Sequence, residues 1–164
     1  MRYREKSTKN PLRAADVSSS IASGVVGAVA LTAFHEAVRS RMADPPRIDR
    51  IGERAIRKGM SLLGAKPPAE SRLYGWALAG DIVTNGLFYS LVGTGGGAWL
   101  RGALLGSVAG VGAALLPPVL GLGKIARRPT KTTNLLTFSY YLTGGLVAAA
   151  ASRAISATRR AWED

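Results

Sequence analysis

The chain contains no cysteine and only one histidine, His35. The missing thiols exclude disulfides, thiolate zinc sites, iron–sulfur clusters and cysteine nucleophiles. A lone His35 excludes bis-histidine haem and multi-histidine metal centres within one chain, so no metal and no cofactor is expected. Acids are also scarce: ten Asp and Glu stand against 22 Lys and Arg, a net charge of +12. Such a balance invites a nucleic-acid reading. No basic tract carries interleaved aromatics for base stacking, however, and nucleic acid is not an expected partner.

What the chain does have is segregated. A hydrophobic fraction of 47% is ordinary, but the charges cluster between four long segments that are almost free of them. Many of the 20 glycines lie inside those apolar runs. Glycine weakens a helix in water, whereas in a membrane it lets neighbouring backbones approach closely. A length of 164 residues suits one domain. The expected fold is an all-α, polytopic membrane protein: a four-transmembrane-helix bundle with one interfacial amphipathic helix.

Residues 1–16 form a polar, basic leader, and residues 17–164 a single membrane domain. Asp16 is positioned to cap the first span, 17–38. Ser20, Gly24, Ala28, Thr32 and Glu36 recur every four residues there, a small and polar stripe suited to close helix packing. The basic leader and Ala28-Val29-Ala30 also fit a secretory signal peptide. The leucine-poor apolar run favours the span.

The polar connection 39–72 contains a second pattern. Asp44-Pro45-Pro46 reads as a helix start, and Ile48, Ile51, Ala55, Met60 and Leu63 then share one side at helical spacing. Arg50, Arg54, Arg57 and Lys58 take the other side, Gly64 is a natural stop, and Pro67-Pro68 lies beyond. An amphipathic helix over 45–63 is therefore expected at the membrane surface. Arg47, Arg50, Arg54, Arg57 and Lys58 would contact anionic lipid headgroups. The competing reading is a solvated charged helix covering the end of the bundle, and both give it an anchoring role.

The second span, 73–92, is expected to be the central helix of the bundle and carries Tyr74 and Trp76 at one end and Phe88 and Tyr89 towards the other. The turn Thr94-Gly95-Gly96-Gly97 is short enough to make the second and third spans antiparallel neighbours. The third span, 98–116, opens with Trp99 and Arg101 as interfacial anchors and stops at Pro117-Pro118. Its Gly102, Gly106 and Gly110 repeat at the spacing of tight membrane helix packing. Thr132, Thr133 or Asn134 caps the fourth span, 135–152, whose Gly144 is another packing position. The tail extends that helix towards Trp162.

With four spans, the termini share one side with the glycine-rich turn. Nine Lys and Arg fall on that side and thirteen on the other, which favours the connections inside and the termini outside.

One acid lies deep in a span. Asp81 is about 12 Å along its helix, near the middle of a hydrocarbon core about 30 Å thick. Asn85 follows one turn later on the same face. An intramembrane carboxylate is by default a functional candidate, here a protonatable or ion-binding site. The structural alternative is a hydrogen-bonding residue gripping Ser or Thr on a neighbouring helix, and it is the favoured of the two. His35 and Glu36 end the first span on the side where the second begins, on a path from Asp81 to the surface. Their plainer roles are a histidine bonded to a backbone carbonyl and an acid paired with Arg39. His35-Glu36 opens a metalloprotease pattern that no second histidine completes. GTGGGAW, residues 93–99, lacks the lysine and the strand–helix context of a phosphate loop.

The stretches FHEAVR, DPPRIDRIGERAI, RLYGWALAGDIVTNGLFYSLVG and WLRGALLGSVAGVGAALLPPVLGLG cover most of residues 34–123. Together they resemble a family of small multi-span bacterial membrane proteins with no assigned activity. The resemblance implies a multi-pass protein of the bacterial inner (cytoplasmic) membrane and transfers no mechanism. The expected function is non-enzymatic: a helix-packing or accessory subunit, or a small scaffold held to anionic lipid. A membrane-protein partner or a second copy is the implied companion. The rival is a proton- or ion-coupled channel or transporter centred on Asp81. A lipid-modifying enzyme would need a polar pocket near Glu36 and the arginine-rich helix, and ranks third.

Overall fold

The computed structural model describes residues 14–127 and 129–163. Most of the basic leader, residues 1–13, lies outside the described residues. Among the described residues the regular elements are five α-helices: α1 (Ala14–Arg39), α2 (Ile48–Leu62), α3 (Glu70–Ser90), α4 (Ala98–Val119) and α5 (Lys131–Glu163).

Small residues decide which helices meet. A Cβ added at Gly106 of α4 would stand 2.8 Å from Leu142 Cα and 2.8 Å from the Tyr141 carbonyl oxygen of α5. One added at Gly110 would stand 2.9 Å from Phe138 Cα, and Gly102 abuts the Gly145 carbonyl. The expected glycine row is thus a backbone-to-backbone seam between α4 and α5. Gly27 of α1 meets Gly144 and Ala148 of α5, while Gly24, one turn earlier, meets Gly86 and Ser90 of α3. Ala28 is fully buried in the same helix.

These seams order the four long helices as α4–α5–α1–α3, with α2 packed on α3. Two expectations need correcting. The helix over 73–92 is an edge helix rather than the central one. The glycine-rich turn does not make α3 and α4 close neighbours, because α5 and α1 lie between them. The reason is that α1 and α5 each present small residues on two sides, whereas α3 presents Gly86 to α1 alone. The turn is gripped instead by side chains. Arg101 Nε donates to the Val92 carbonyl at 2.5 Å and its Nη2 to the Thr94 carbonyl at 2.8 Å. Ser152 of α5 donates to the Gly93 carbonyl at 2.6 Å.

Helix ends also differ from expectation in instructive places. Asp16 lies inside α1 and pairs with Arg159 near the end of α5, Nη1 to Oδ1 at 3.0 Å. Each charge is at the helix terminus that favours it. Pro45 and Pro46 are buried ahead of α2, and Arg47 takes the N-cap position without a capping hydrogen bond from its side chain. Gly64 ends α2 as expected, with φ +68 and the paired bonds Ala65 N–H to Met60 and Gly64 N–H to Ser61. Pro117 and Pro118 do not stop α4. They occupy its last turn, where their φ is compatible with a helix, and Gly121 (φ +68) closes the end in the same way as Gly64. The cap of α5 is Thr130, not Thr132, Thr133 or Asn134. Its hydroxyl accepts from the Thr133 N–H at 3.1 Å, and the Thr133 hydroxyl accepts from the Thr130 N–H at 3.3 Å. At 33 residues α5 carries the tail with it, about 50 Å at 1.5 Å per residue.

The outward surfaces are apolar. Val17, Ile21, Val25 and Val29 of α1 are exposed, as are Leu100, Leu104, Val108, Val111 and Leu115 of α4. Among the described residues, three helices are long and apolar enough to cross a membrane: α1 over Asp16–Arg39, α4, and α5 over Lys131–Trp162. This is consistent with a membrane protein. α3 falls short of that measure because Tyr74, Trp76, Asp81, Asn85 and Tyr89 dilute its apolar residues.

Candidate functional site

Because α1 and α3 run antiparallel, the end of α1 faces the first half of α3, and α2 lies across the gap. The three enclose a cleft of about 150 Å³ floored by Tyr141 of α5. Its polar lining is Thr32, His35 and Glu36 from α1, Asp49 from α2, and Tyr74 and Asp81 from α3.

Asp81 is at the inner end. Asn85 Nδ2 donates to Oδ1 at 2.8 Å, and the Thr32 hydroxyl donates to Oδ2 at 3.4 Å across the α1–α3 seam. The i,i+4 spacing expected for Asp81 and Asn85 is therefore a bond, and Asn85 is buried beside the cleft rather than lining it. Both carboxylate oxygens have a neutral donor, while the group still lines open space.

His35 and Glu36 sit towards the α2 end. Nε2 of the buried His35 lies 3.0 Å from the Pro46 carbonyl, so this nitrogen carries a hydrogen and donates. Its Nδ1 faces Glu36 Oε1 at 3.4 Å. One ring thereby ties α1 to the segment that leads into α2. The ring also meets the edge of Tyr140 at 5.5 Å, and Phe34 meets Tyr140 at 5.0 Å. Glu36 accepts from Arg39 Nε at 2.9 Å and Nη2 at 2.5 Å, the pair expected from their spacing. The Arg39 guanidinium lies 5.8 Å from the centre of the Tyr74 ring.

Asp49 brings a third acid to the cleft. Its side chain is almost wholly buried and accepts from Arg47 Nη2 at 2.6 Å. Burial, the largest single influence, would raise its carboxyl, but the hydrogen bond and charge of the Arg47 guanidinium, together with the Arg50 backbone N–H, hold it below the usual carboxylate value. The same contact raises the Arg47 guanidinium against its own desolvation.

Three of the four expected polar residues, Asp81, His35 and Glu36, therefore share one cleft. Sequence alone does not single out Asp49 or Tyr141 as polar site residues, and it places Thr32 in a packing stripe and Tyr74 on the helix face that carries Asp81. Asp49 was visible only as a first-turn acid in an arginine-rich helix.

The cations expected to face lipid headgroups divide three ways. Arg54 Nη1 donates to the Leu122 carbonyl at 2.8 Å and Lys58 Nζ to the Leu120 carbonyl at 2.6 Å, so both hold the chain leaving α4. Arg57 pairs with Glu70 and Arg47 with Asp49. The Arg50 guanidinium is exposed and has no partner among the described residues. No group of three or more His, Asp and Glu among the described residues is arranged to hold a metal ion. No family model, no curated protein and no solved structure matches this chain, so neither fold nor mechanism is carried to it from a relative.

Proposed function

We propose that the protein is a non-enzymatic, multi-pass membrane protein. Its four long helices all cross the bilayer, and it serves as an accessory subunit or small scaffold. The observation that carries this is the pairing of glycine-tight internal seams with outward faces of uncovered Val and Leu on α1 and α4. On α3 the outward residues Trp76, Val83 and Leu87, with Leu91 just after the helix, continue that surface. Its polar residues Asp81 and Asn85 turn towards α1, which supports α3 as the fourth span despite its lower hydropathy. α2 carries a charged side and packs its other side on α3, as an interfacial helix anchored to anionic lipid would. The side bearing α2 and the 120–130 connection is the more basic, which favours it as the cytoplasmic side of a bacterial inner membrane. A partner membrane protein or a second copy would cover part of the apolar face. Purification in mild detergent tests the proposal. A defined oligomer or a co-purifying membrane protein is expected, and a strictly monomeric species with no companion contradicts it.

A second reading is favoured by one specific observation: Asp81, Glu36 and His35 lie along a single cleft. A proton- or ion-coupled path would use them between the core and the surface. Flux in liposomes decides between the two. Native flux abolished by Asp81→Asn supports the path, and flux that is absent or unchanged in the variant removes it.

A further inference from the structure

The segment after α4 does not hang free. It is pinned along α2 by three bonds: Arg47 N–H to the Ile125 carbonyl at 2.6 Å, Arg54 to the Leu122 carbonyl, and Lys58 to the Leu120 carbonyl. Its Ile125 and Ala126 are buried. Between α2 and this strap runs a preformed groove of about 560 Å³, lined by Arg47, Arg50, Arg54, Lys124 and Arg127, with Asp44 the one acid on its wall. Arg47 is committed to Asp49 and Arg54 spends one nitrogen on Leu122. Arg50, Lys124 and Arg127 have no partner among the described residues.

Three uncommitted cations converging on a braced backbone form an anion site rather than a self-satisfied salt-bridge network. Guanidinium forks match the paired oxygens of a phosphate, and a lysine adds a point charge. The groove belongs to the same end of the bundle as α2, the end at which the proposed membrane placement puts lipid headgroups. We infer that this groove is a phosphate-binding site, built from α2 and the 122–127 strap together, for a phosphate-bearing anion such as an anionic lipid headgroup. Lys124 and Arg127 join the site although no helical pattern links them to α2. Arg57 and Lys58 do not line it. The lipid source rests on the membrane placement proposed above, while phosphate recognition does not.

Thermal unfolding of the full chain in a neutral detergent tests the inference. One arm adds phosphatidylglycerol to the micelles, with phosphatidylcholine as its reference. A second adds inorganic phosphate, with chloride at equal ionic strength as its reference. A ligand that binds the folded state raises Tm, so an upward shift is expected in at least one arm. Lys124→Gln/Arg127→Gln, with or without Arg50→Gln, removes most of that shift. Arg41→Gln/Lys66→Gln/Arg72→Gln, which strips charge from the same end outside the groove, retains it. A shift with phosphatidylglycerol alone identifies a lipid headgroup, and a shift with both probes identifies phosphate itself. No shift in either arm overturns the site, as does equal loss in the two sets of variants, which marks general surface attraction. Failure of α3 to cross the membrane would leave the inorganic phosphate arm standing, so the two readings fail separately. Where a groove variant does not fold, the native chain still decides through its response to the two probes.

Discussion

The Thr32 hydroxyl of α1 donates across the helix seam to the Asp81 carboxylate of α3, the same group that Asn85 engages from one turn further along. This bond joins the edge helix to the row at its middle. Below it, Gly24 and Gly86 bring the backbones together; above it, His35 and Pro46 tie in the approach to α2. Asp81→Asn keeps a hydrogen-bonding side chain of the same shape and is expected to unfold close to the native temperature. Asp81→Leu strands Asn85 and Thr32 and should destabilise by about 1–3 kcal/mol, the cost of buried polar groups left without partners. Thermal unfolding in detergent, followed by circular dichroism, separates the two variants.

Glycines predict opposite signs at two kinds of position. Gly106→Val forces a side chain into the Leu142 and Tyr141 backbone and should destabilise by about 1–3 kcal/mol, as overpacking does. Gly80→Ala on α3 meets nothing within 4 Å. It should stabilise by about 0.5–1 kcal/mol through the lower backbone entropy of the unfolded chain. Equal effects of the two substitutions in the same unfolding assay would deny that α4 and α5 meet through glycine.

Acid should loosen α2 where it lies across the cleft. The Asp49 carboxyl is lower in the folded protein than in the unfolded chain, so its contribution to stability is full above the ordinary carboxylate value of 3.8. It declines as pH falls from there through the lower, folded value, because the unfolded chain takes up the proton first. Asp49→Asn is therefore expected to be less stable than the native protein at neutral pH, with the gap narrowing below about pH 4. Denaturation midpoints measured for both proteins across that interval check the direction.

The start of α5 rests on the reciprocal Thr130–Thr133 cap. Thr130→Ala should lower stability by about 1 kcal/mol, while Thr130→Ser largely preserves it. Amide hydrogen exchange in residues 131–134 should rise in the alanine variant alone.

How far the sequence could be read varied with the range of the interaction. The all-helical class, the seam glycines of α4 and the Gly64 stop are local signals, repeated every four residues or set by one backbone angle, and they were legible. The pairing of Asp81 with Asn85 and of Glu36 with Arg39 follows from helical spacing and was legible too. Helix order was not. A short turn between α3 and α4 suggests contact, but partnership is decided by which helices offer small residues on two faces, as α1 does through Gly24 and Gly27. Asp49 escaped for a related reason. A first-turn acid in an arginine-rich helix looks solvated until α2 is laid across α1 and α3. The Thr130 cap was displaced because Thr132, Thr133 and Asn134 are equally good capping residues by type. Only the backbone shows that Thr133 answers Thr130.

The central claim is that α3 crosses the membrane as a fourth span, and the absence of cysteine makes it directly measurable. Single substitutions Ser61→Cys at the end of α2, Thr94→Cys in the glycine-rich turn and Thr158→Cys on α5 give one thiol each. An impermeant maleimide is applied to sealed, oriented vesicles, with and without permeabilisation. With four spans, Thr94→Cys and Thr158→Cys react from the same side and Ser61→Cys from the opposite side. Labelling of Thr94→Cys and Ser61→Cys from one side would show that α3 does not cross, and would contradict the account.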